Sequence, residues 1–186
     1  MYITIAGLEG SGKSTLTRNL AKKLNWPYFS VGNMRRAMAA EMNLTLADFN
    51  KLAESDQQYD VDVDKKMVKE VNKHENAIVE GRVMYHFFPE SFKIYLVVDF
   101  DEAAKRLLHT KNKDRKNEAK DVTSLESIKQ NLKDRRESDI KRYRKYYNLD
   151  PHNQANFDLI IDTTTLQSYQ TVTKAYTAVK MWLGLT

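Results

Sequence analysis

The run Gly7-Leu8-Glu9-Gly10-Ser11-Gly12-Lys13-Ser14-Thr15 limits what this chain can fold into more than any other stretch. It fits G-x-x-x-x-G-K-[ST] without a gap, and that pattern works only with a strand before it and a helix after it. Both are expected. Tyr2-Ile3-Thr4-Ile5-Ala6 is a short β-rich run, and Leu16, Leu20, Ala21 and Leu24 recur at helical spacing behind Lys13. The glycines let successive N–H groups turn onto one anion in conformations that a Cβ obstructs. Phosphates held there meet a helix N-terminus, whose free N–H groups and dipole favour negative charge. Lys13 adds a point charge for the β- and γ-phosphates and Ser14 a hydroxyl for Mg²⁺, which makes ATP with Mg²⁺ the expected ligand.

Downstream the chain alternates strands with helices, the pattern of a parallel sheet in a single α/β domain. Strands are predicted at Tyr28–Val31, Asn76–Glu80, Phe92–Val98 and Phe157–Asp162, and helices from Asn33, over Asp99–His109, from about Ser124 to Tyr147 and over Gln170–Leu183. Met34, Met38 and Met42 stand four residues apart and are expected on the buried face of a helix. Leu44–Ala53 and Asp60–Lys73 are polar helical stretches, expected as a movable insertion. Thr110–Val122 has almost no apolar content and is expected to stay mobile without ligand.

Composition narrows the setting. With 186 residues, 41% hydrophobic and 30% charged, the chain suits one soluble domain. It lacks an apolar run of membrane-spanning length and any secretory leader pattern, and it contains no cysteine, so a cytoplasmic protein without membrane partner is expected. The four histidines, His74, His86, His109 and His152, are too scattered for a ligand set. Lys105 to Lys145 holds 15 Lys and Arg against 7 Asp and Glu; the net charge of the whole is +5, so the remainder is slightly acidic. A basic segment on such a body points to a polyanionic ligand, and nucleic acid is the remote alternative to nucleotides.

Three further stretches narrow the class. Ser30-Val31-Gly32-Asn33-Met34-Arg35-Arg36, Glu80-Gly81-Arg82 and Arg135-Arg136-Glu137-Ser138-Asp139-Ile140-Lys141-Arg142-Tyr143, with Asp162-Thr163-Thr164 beyond, resemble the cytidylate kinases, the archaeal-type branch most. The resemblance covers nearly the whole chain in order. It implies the three-layer fold of phosphate-loop nucleoside monophosphate kinases: a five-stranded parallel sheet, a core over 1–32, 76–109 and 123–186, an acceptor-binding insertion over about 33–75 and a lid over about 110–122. It implies transfer from ATP to CMP or dCMP by a monomer that binds no nucleic acid. A kinase for another small phosphorylated metabolite, or for UMP or AMP, is the alternative.

The same resemblance distributes roles. Gly7, Gly10, Ser11, Gly12, Lys13, Ser14 and Thr15 take the ATP phosphates and Mg²⁺, and Thr163 lies near the ATP base. Ser30, Arg36, Arg82, Arg135, Asp139 and Arg142 fall on the acceptor nucleotide. Lys13, Arg82, Arg135 and Arg142 are expected to stabilise the migrating phosphoryl group, since phosphoryl transfer rests on positioning and charge neutralisation. Arg135, Asp139 and Arg142 share one helix face by their spacing; the same spacing also makes a solvated row of ion pairs. Glu80 at a strand end either holds a Mg²⁺-bound water or pairs with Arg82 or an amide. Arg106 and Arg115 are candidates to cover the ATP base. Asn33 and Val83 stand where related kinases carry acids, which bears on base and sugar preference, and Glu9 is expected to turn to solvent, away from the phosphates.

Overall fold

The structure, a computed structural model, describes residues 1–109 and 124–185. A parallel five-stranded sheet in the order β2-β3-β1-β4-β5 forms its centre. The strands are β1 (Tyr2–Gly7), β2 (Tyr28–Ser30), β3 (Ala77–Glu80), β4 (Phe92–Val97) and β5 (Leu159–Asp162). The helices are α1 (Lys13–Leu24), α2 (Val31–Glu41), α3 (Leu46–Ser55), α4 (Gln58–Val71), α5 (Met84–Phe87), α6 (Phe100–His109), α7 (Leu125–Tyr147) and α8 (Ser168–Trp182). The two edge strands aside, the sheet is covered on both faces, which is why β1, β3 and β4 read as nearly continuous apolar runs.

Alternate residues of each strand feed different cores. Ile3, Ile5, Ile78, Ile94, Leu96 and Ile161 pack against Leu16 and Leu20 of α1 and Val172, Ala175 and Val179 of α8. On the other face Ala77 and Val79 meet Val31, Ala39, Phe49, Val63 and Met67, so α2, α3 and α4 close a second core. A third cluster joins Val98, Ala103 and Ala104 to Ile128 and Leu132, which docks α7 on α6.

Most of the expected elements form, with shifted ends. Helix α2 begins at Val31, two residues before Asn33, because the Ser30 hydroxyl accepts from Asn33 N at 3.4 Å and caps it. Its buried stripe is Val31, Arg35 and Ala39; Met34 and Met38 are half-buried beside it and Met42 is 43% exposed, so the methionine row is the shoulder of the helix and not its core face. The arginine occupies the inner line because Asp60 and Asn50 receive it there. Ser124 and Ser127 cap α7 reciprocally, side chain to backbone. The short helix α5 and a single 3₁₀ turn at Gln154–Asn156 stand where only loop was expected.

The segment expected to act as a lid, 110–122, lies outside the described residues, as does Arg115. Helices α3 and α4, expected as a movable insertion, are tied to α7 more firmly than their polarity implies. Tyr146 of α7 donates to the carbonyls of Ala53 and Glu54 at 2.6 and 3.1 Å, Tyr147 donates to Asp64 at 2.8 Å, and Lys141 reaches Glu54 at 2.9 Å. Among the described residues no helix is long and apolar enough to cross a membrane.

Candidate active site

Strands β1 and β3 lie side by side with Ile5 opposite Glu80, and Gly81 N donates to Ile5 O at 3.0 Å. Chain leaves the two carboxyl ends in different directions, which opens a crevice there, the usual ligand position of an open parallel sheet. The phosphate loop emerges on one side and Gly81-Arg82 on the other. Gly7 leaves β1 at φ +139°, where a Cβ would run into the Leu96 backbone, and Gly12 at φ +88° serves as the left-handed N-cap of α1. No side chain caps α1 and no acidic residue stands in its first turn. Its N–H groups are thus left for an anion.

Within the loop, Ser11 Oγ donates to Leu8 O at 2.7 Å, and Lys13 Nζ donates to Gly7 O and Leu8 O at 2.9 and 2.6 Å. Ser14 Oγ donates to Glu80 Oε1 at 3.0 Å, which places the carboxylate beside the Ser14 hydroxyl, whereas Arg82 is bonded to Asp139 and Glu9. A hydroxyl and a carboxylate at this spacing fit Mg²⁺, a hard ion that takes few protein ligands and completes its octahedron with phosphate oxygens and water. Among the described residues no group of three or more His, Cys, Asp or Glu side chains gathers into a separate metal site.

A cavity of about 780 Å³ runs from this loop across the crevice. It is lined by Gly10 through Thr15, by Arg36 of α2, by Arg82, by Arg135 and Asp139 of α7, and by Arg106, Thr163 and Thr171. Four of the predicted acceptor residues are therefore brought together. Two, Ser30 and Arg142, are not: the Ser30 hydroxyl caps α2, and Arg142 is buried off the cavity. Of the residues predicted for the ATP phosphates, Gly7 does not line the cavity either; it underlies the loop with its carbonyl turned to Lys13.

Arg142 requires a correction. It is 1% exposed and off the cavity; Nη1 donates to both Asp60 oxygens at 2.6 and 2.7 Å, Nη2 to Asp139, and Nε to Ser138 Oγ at 3.3 Å. Helical spacing places Arg142 on the face of Arg135 and Asp139, but Asp60 on α4 draws it inward. Burial alone would lower its pKa; the Asp139 and Asp60 carboxylates overcome that and push it above its ordinary value. It holds the acceptor wall together from behind.

Glu9 also departs from expectation. Its carboxylate turns inward, accepts from Arg82 Nη2 and lies 3.8 Å from Arg135 Nε. Burial would raise its pKa, but Arg82, Arg135 and Lys13 hold it well below the usual carboxylate range. Arg82 is pushed the other way: desolvation opposes its charge, and Asp139 and Glu9 more than restore it. With Arg82 Nε on Asp139, the chain Glu9–Arg82–Asp139–Arg142–Asp60 runs unbroken from the phosphate loop to the insertion. Arg106 donates to Thr163 O at 2.7 Å, Thr164 O at 3.0 Å and Glu102 at 2.8 Å, which fixes α6 to the exit of β5 where Thr163 is itself bonded to Val97 O at 2.9 Å.

Sequence reasoning missed Arg35, Asn50, Asp60 and Tyr143 as neighbours of the site. Asn50 and Asp60 sit in polar helices with no motif around them, and their role comes only from arginines elsewhere in the chain.

Comparison with known proteins agrees with this geometry. A family model described as an AAA domain matches residues 3–146. Curated relatives include a cytidylate kinase of Methanosphaera stadtmanae, 36% identical over 92% of this chain and 94% of the relative, and one of Methanothermobacter thermautotrophicus, 31% identical over 88% and 95%. A shikimate kinase of Bacteroides thetaiotaomicron shares the fold at 15% identity, with a TM-score of 0.62 over 100% of this chain and 99% of that one. Similarity of this degree to the curated kinases, along almost the whole of both chains, makes this protein a member of the cytidylate kinase family.

Proposed function

We propose that the protein transfers the γ-phosphoryl group of ATP to CMP or dCMP, giving ADP and the nucleoside diphosphate. The observation that carries this reading is one cavity lined both by the phosphate loop and by Arg36, Arg82 and Arg135 from three other parts of the chain, which suits two phosphate-bearing ligands brought together. An acceptor phosphate oxygen attacks Pγ, a new P–O bond forms, and the bond from Pγ to the β-bridging oxygen breaks with its electrons leaving on ADP. That oxygen is already anionic at neutral pH, so no general base is required. What the chain supplies is orientation and fixed positive charge.

Lys13 and the N–H groups of α1 take the donor phosphates; Arg36, Arg82 and Arg135 take the acceptor phosphate and the charge that develops between the two. Ser14 and Glu80 would hold Mg²⁺, which would supply positive charge to the donor's phosphate oxygens. Arg82 and Arg135 are shared between the cavity and Glu9, so they are aimed before any substrate arrives. All of these groups come from one chain, in keeping with a monomer, and nucleotide substrates suit a cytoplasmic setting. The insertion 33–75 and the segment 110–122 are assigned to acceptor capture and to closure over ATP.

A coupled assay of ADP formation with CMP, dCMP, UMP, AMP and GMP tests the reading. Turnover that depends on CMP or dCMP is expected, and no acceptor-dependent turnover with any of the five would overturn it.

A further inference from the structure

The acceptor pocket contains an amide whose orientation is fixed by its neighbour. Asn50, on α3, lines the cavity, and its Oδ1 accepts from Arg35 Nη2 at 2.8 Å. A guanidinium has only donors, so the amide oxygen must face Arg35 and the NH₂ must face away. Arg35 cannot turn to release it. It is buried, bonded also to Asp60, and lies over the Phe49 ring at 5.2 Å. Asp60 is gripped in turn by Arg142 of α7. Among the described residues, the Asn50 NH₂ has no hydrogen-bond partner.

Around Asn50 the wall is suited to a flat ring. Val31, Leu46 and Tyr143 line the same cavity and are each almost wholly buried, so their apolar faces are fixed in place. Helix α3 packs against α2, α4 and α7, which places Asn50 in the insertion and away from the phosphate loop. With the acceptor phosphate on Arg36 and Arg82, its base extends toward this part of the pocket. The two positions where related kinases carry acids do not reach it: Val83 is buried in the core, and Asn33 Oδ1 is taken by Arg36 at 2.7 Å.

We infer that the Arg35–Asn50 pair sets the choice of base, the amide NH₂ donating to N3 of cytosine, a bare acceptor, and rejecting uracil, whose N3 carries a proton. This inference rests on the pyrimidine-monophosphate reading above. The N3–H of uracil would be met only by a flipped amide, and the flip would set NH₂ against a guanidinium that offers no acceptor. The unmet donors make that arrangement costly in a desolvated pocket. Selectivity thus arises from Arg35 acting through Asn50, by denying the amide its second orientation.

The test is kcat/KM for CMP and for UMP in the wild type, Asn50→Asp and Asn50→Leu, with KM for ATP and thermal melting as controls. The wild type is expected to favour CMP by roughly tenfold or more, the scale of one unmet buried hydrogen bond. Asn50→Asp keeps an acceptor on Arg35 and turns an acceptor to the base, so the CMP-to-UMP ratio should fall at least about tenfold while KM for ATP stays put. Asn50→Leu should lose CMP efficiency without gaining on UMP. A ratio unchanged within about twofold in both folded variants, or a wild type that uses CMP and UMP equally, overturns the inference and leaves the kinase reading standing. A wild type that phosphorylates no pyrimidine monophosphate overturns both.

Discussion

Glu9 and Arg82, separated by 73 residues, meet at the carboxyl end of the sheet, where the acid from the phosphate loop accepts from the guanidinium that follows β3. Arg135 Nε stands 3.8 Å from the same Glu9 oxygen, Oε1. An acid at that point repels the phosphates a little and orients two cations a great deal. Glu9→Gln should therefore separate the two effects: KM for ATP falls, because a buried negative charge near the phosphates is gone, and kcat drops roughly tenfold as the arginines lose their aim. Steady-state kinetics with both substrates varied checks this, and an unchanged kcat would remove Glu9 from the positioning of Arg82.

Arg82 and Arg142 should behave as opposites although both bind Asp139. Arg82→Met removes a cation from the cavity wall and should cost roughly a hundredfold in kcat/KM for CMP, in the range found for single transition-state donors. Arg142→Met leaves the Asp60 and Asp139 carboxylates in the interior without one of their partners, and breaking a buried pair in this way typically costs about 3–5 kcal/mol. Urea unfolding should show the second loss and kinetics the first. Equal effects on stability from the two variants would contradict the division.

Removal of Mg²⁺ with a chelator should abolish turnover. In Glu80→Gln the concentration of Mg²⁺ needed for half-maximal rate should rise by roughly an order of magnitude, since the carboxylate beside Ser14 Oγ becomes a neutral amide. A titration of rate against Mg²⁺ at saturating ATP reads this directly, and the same midpoint as the wild type would exclude Glu80 from holding the ion.

Asp64 gives the fold a dependence on pH. It is buried, and desolvation is the main force raising its pKa from 3.8 to about 6; the Tyr147 hydroxyl opposes the rise, the Asp60 carboxylate adds to it, and Arg35 and Arg142 oppose it more weakly. In the unfolded chain the same group has already lost its proton above pH 4 or so. Between those values the folded chain binds more protons, so stability falls as pH rises from about 4 to about 6 and the deficit, at most about 3 kcal/mol, is complete above that. Asp64→Asn should flatten this segment of the profile, measured as urea midpoints at pH 5 and pH 8. A slope as steep as the wild type's would place its origin elsewhere.

How much of this could be read from the chain depends on where each signal resides. The loop, its strand and its helix are consecutive, so Gly7 to Leu24 declares itself, and the apolar strands β3 and β4 do likewise. Arg82 was legible because it follows a strand whose end must lie at the ligand side of the sheet. Glu9 was misplaced because charge repulsion from phosphates can be judged from sequence, whereas the presence of two arginines 73 and 126 residues away cannot. Arg142 failed for a related reason. Periodicity assigns it to a helix face, but which part of that face is covered depends on Asp60, and a polar helix carries no pattern that announces a buried acid. The methionine row misled in the same manner, since Arg35 displaced it from the inner line only by virtue of Asp60 and Asn50.

The fastenings between α7 and the insertion have a mechanical meaning. Asp60 with Arg142, Asp64 with Tyr147, and the carbonyls of Ala53 and Glu54 with Tyr146 fall along one side of the long helix, like rungs, over the stretch just beyond Arg135 and Asp139. Rungs of this kind couple α3 and α4 mechanically to α7. Under the proposed function, anything that displaces α3 and α4 is transmitted through these bonds to the helix that carries Arg135 and Asp139.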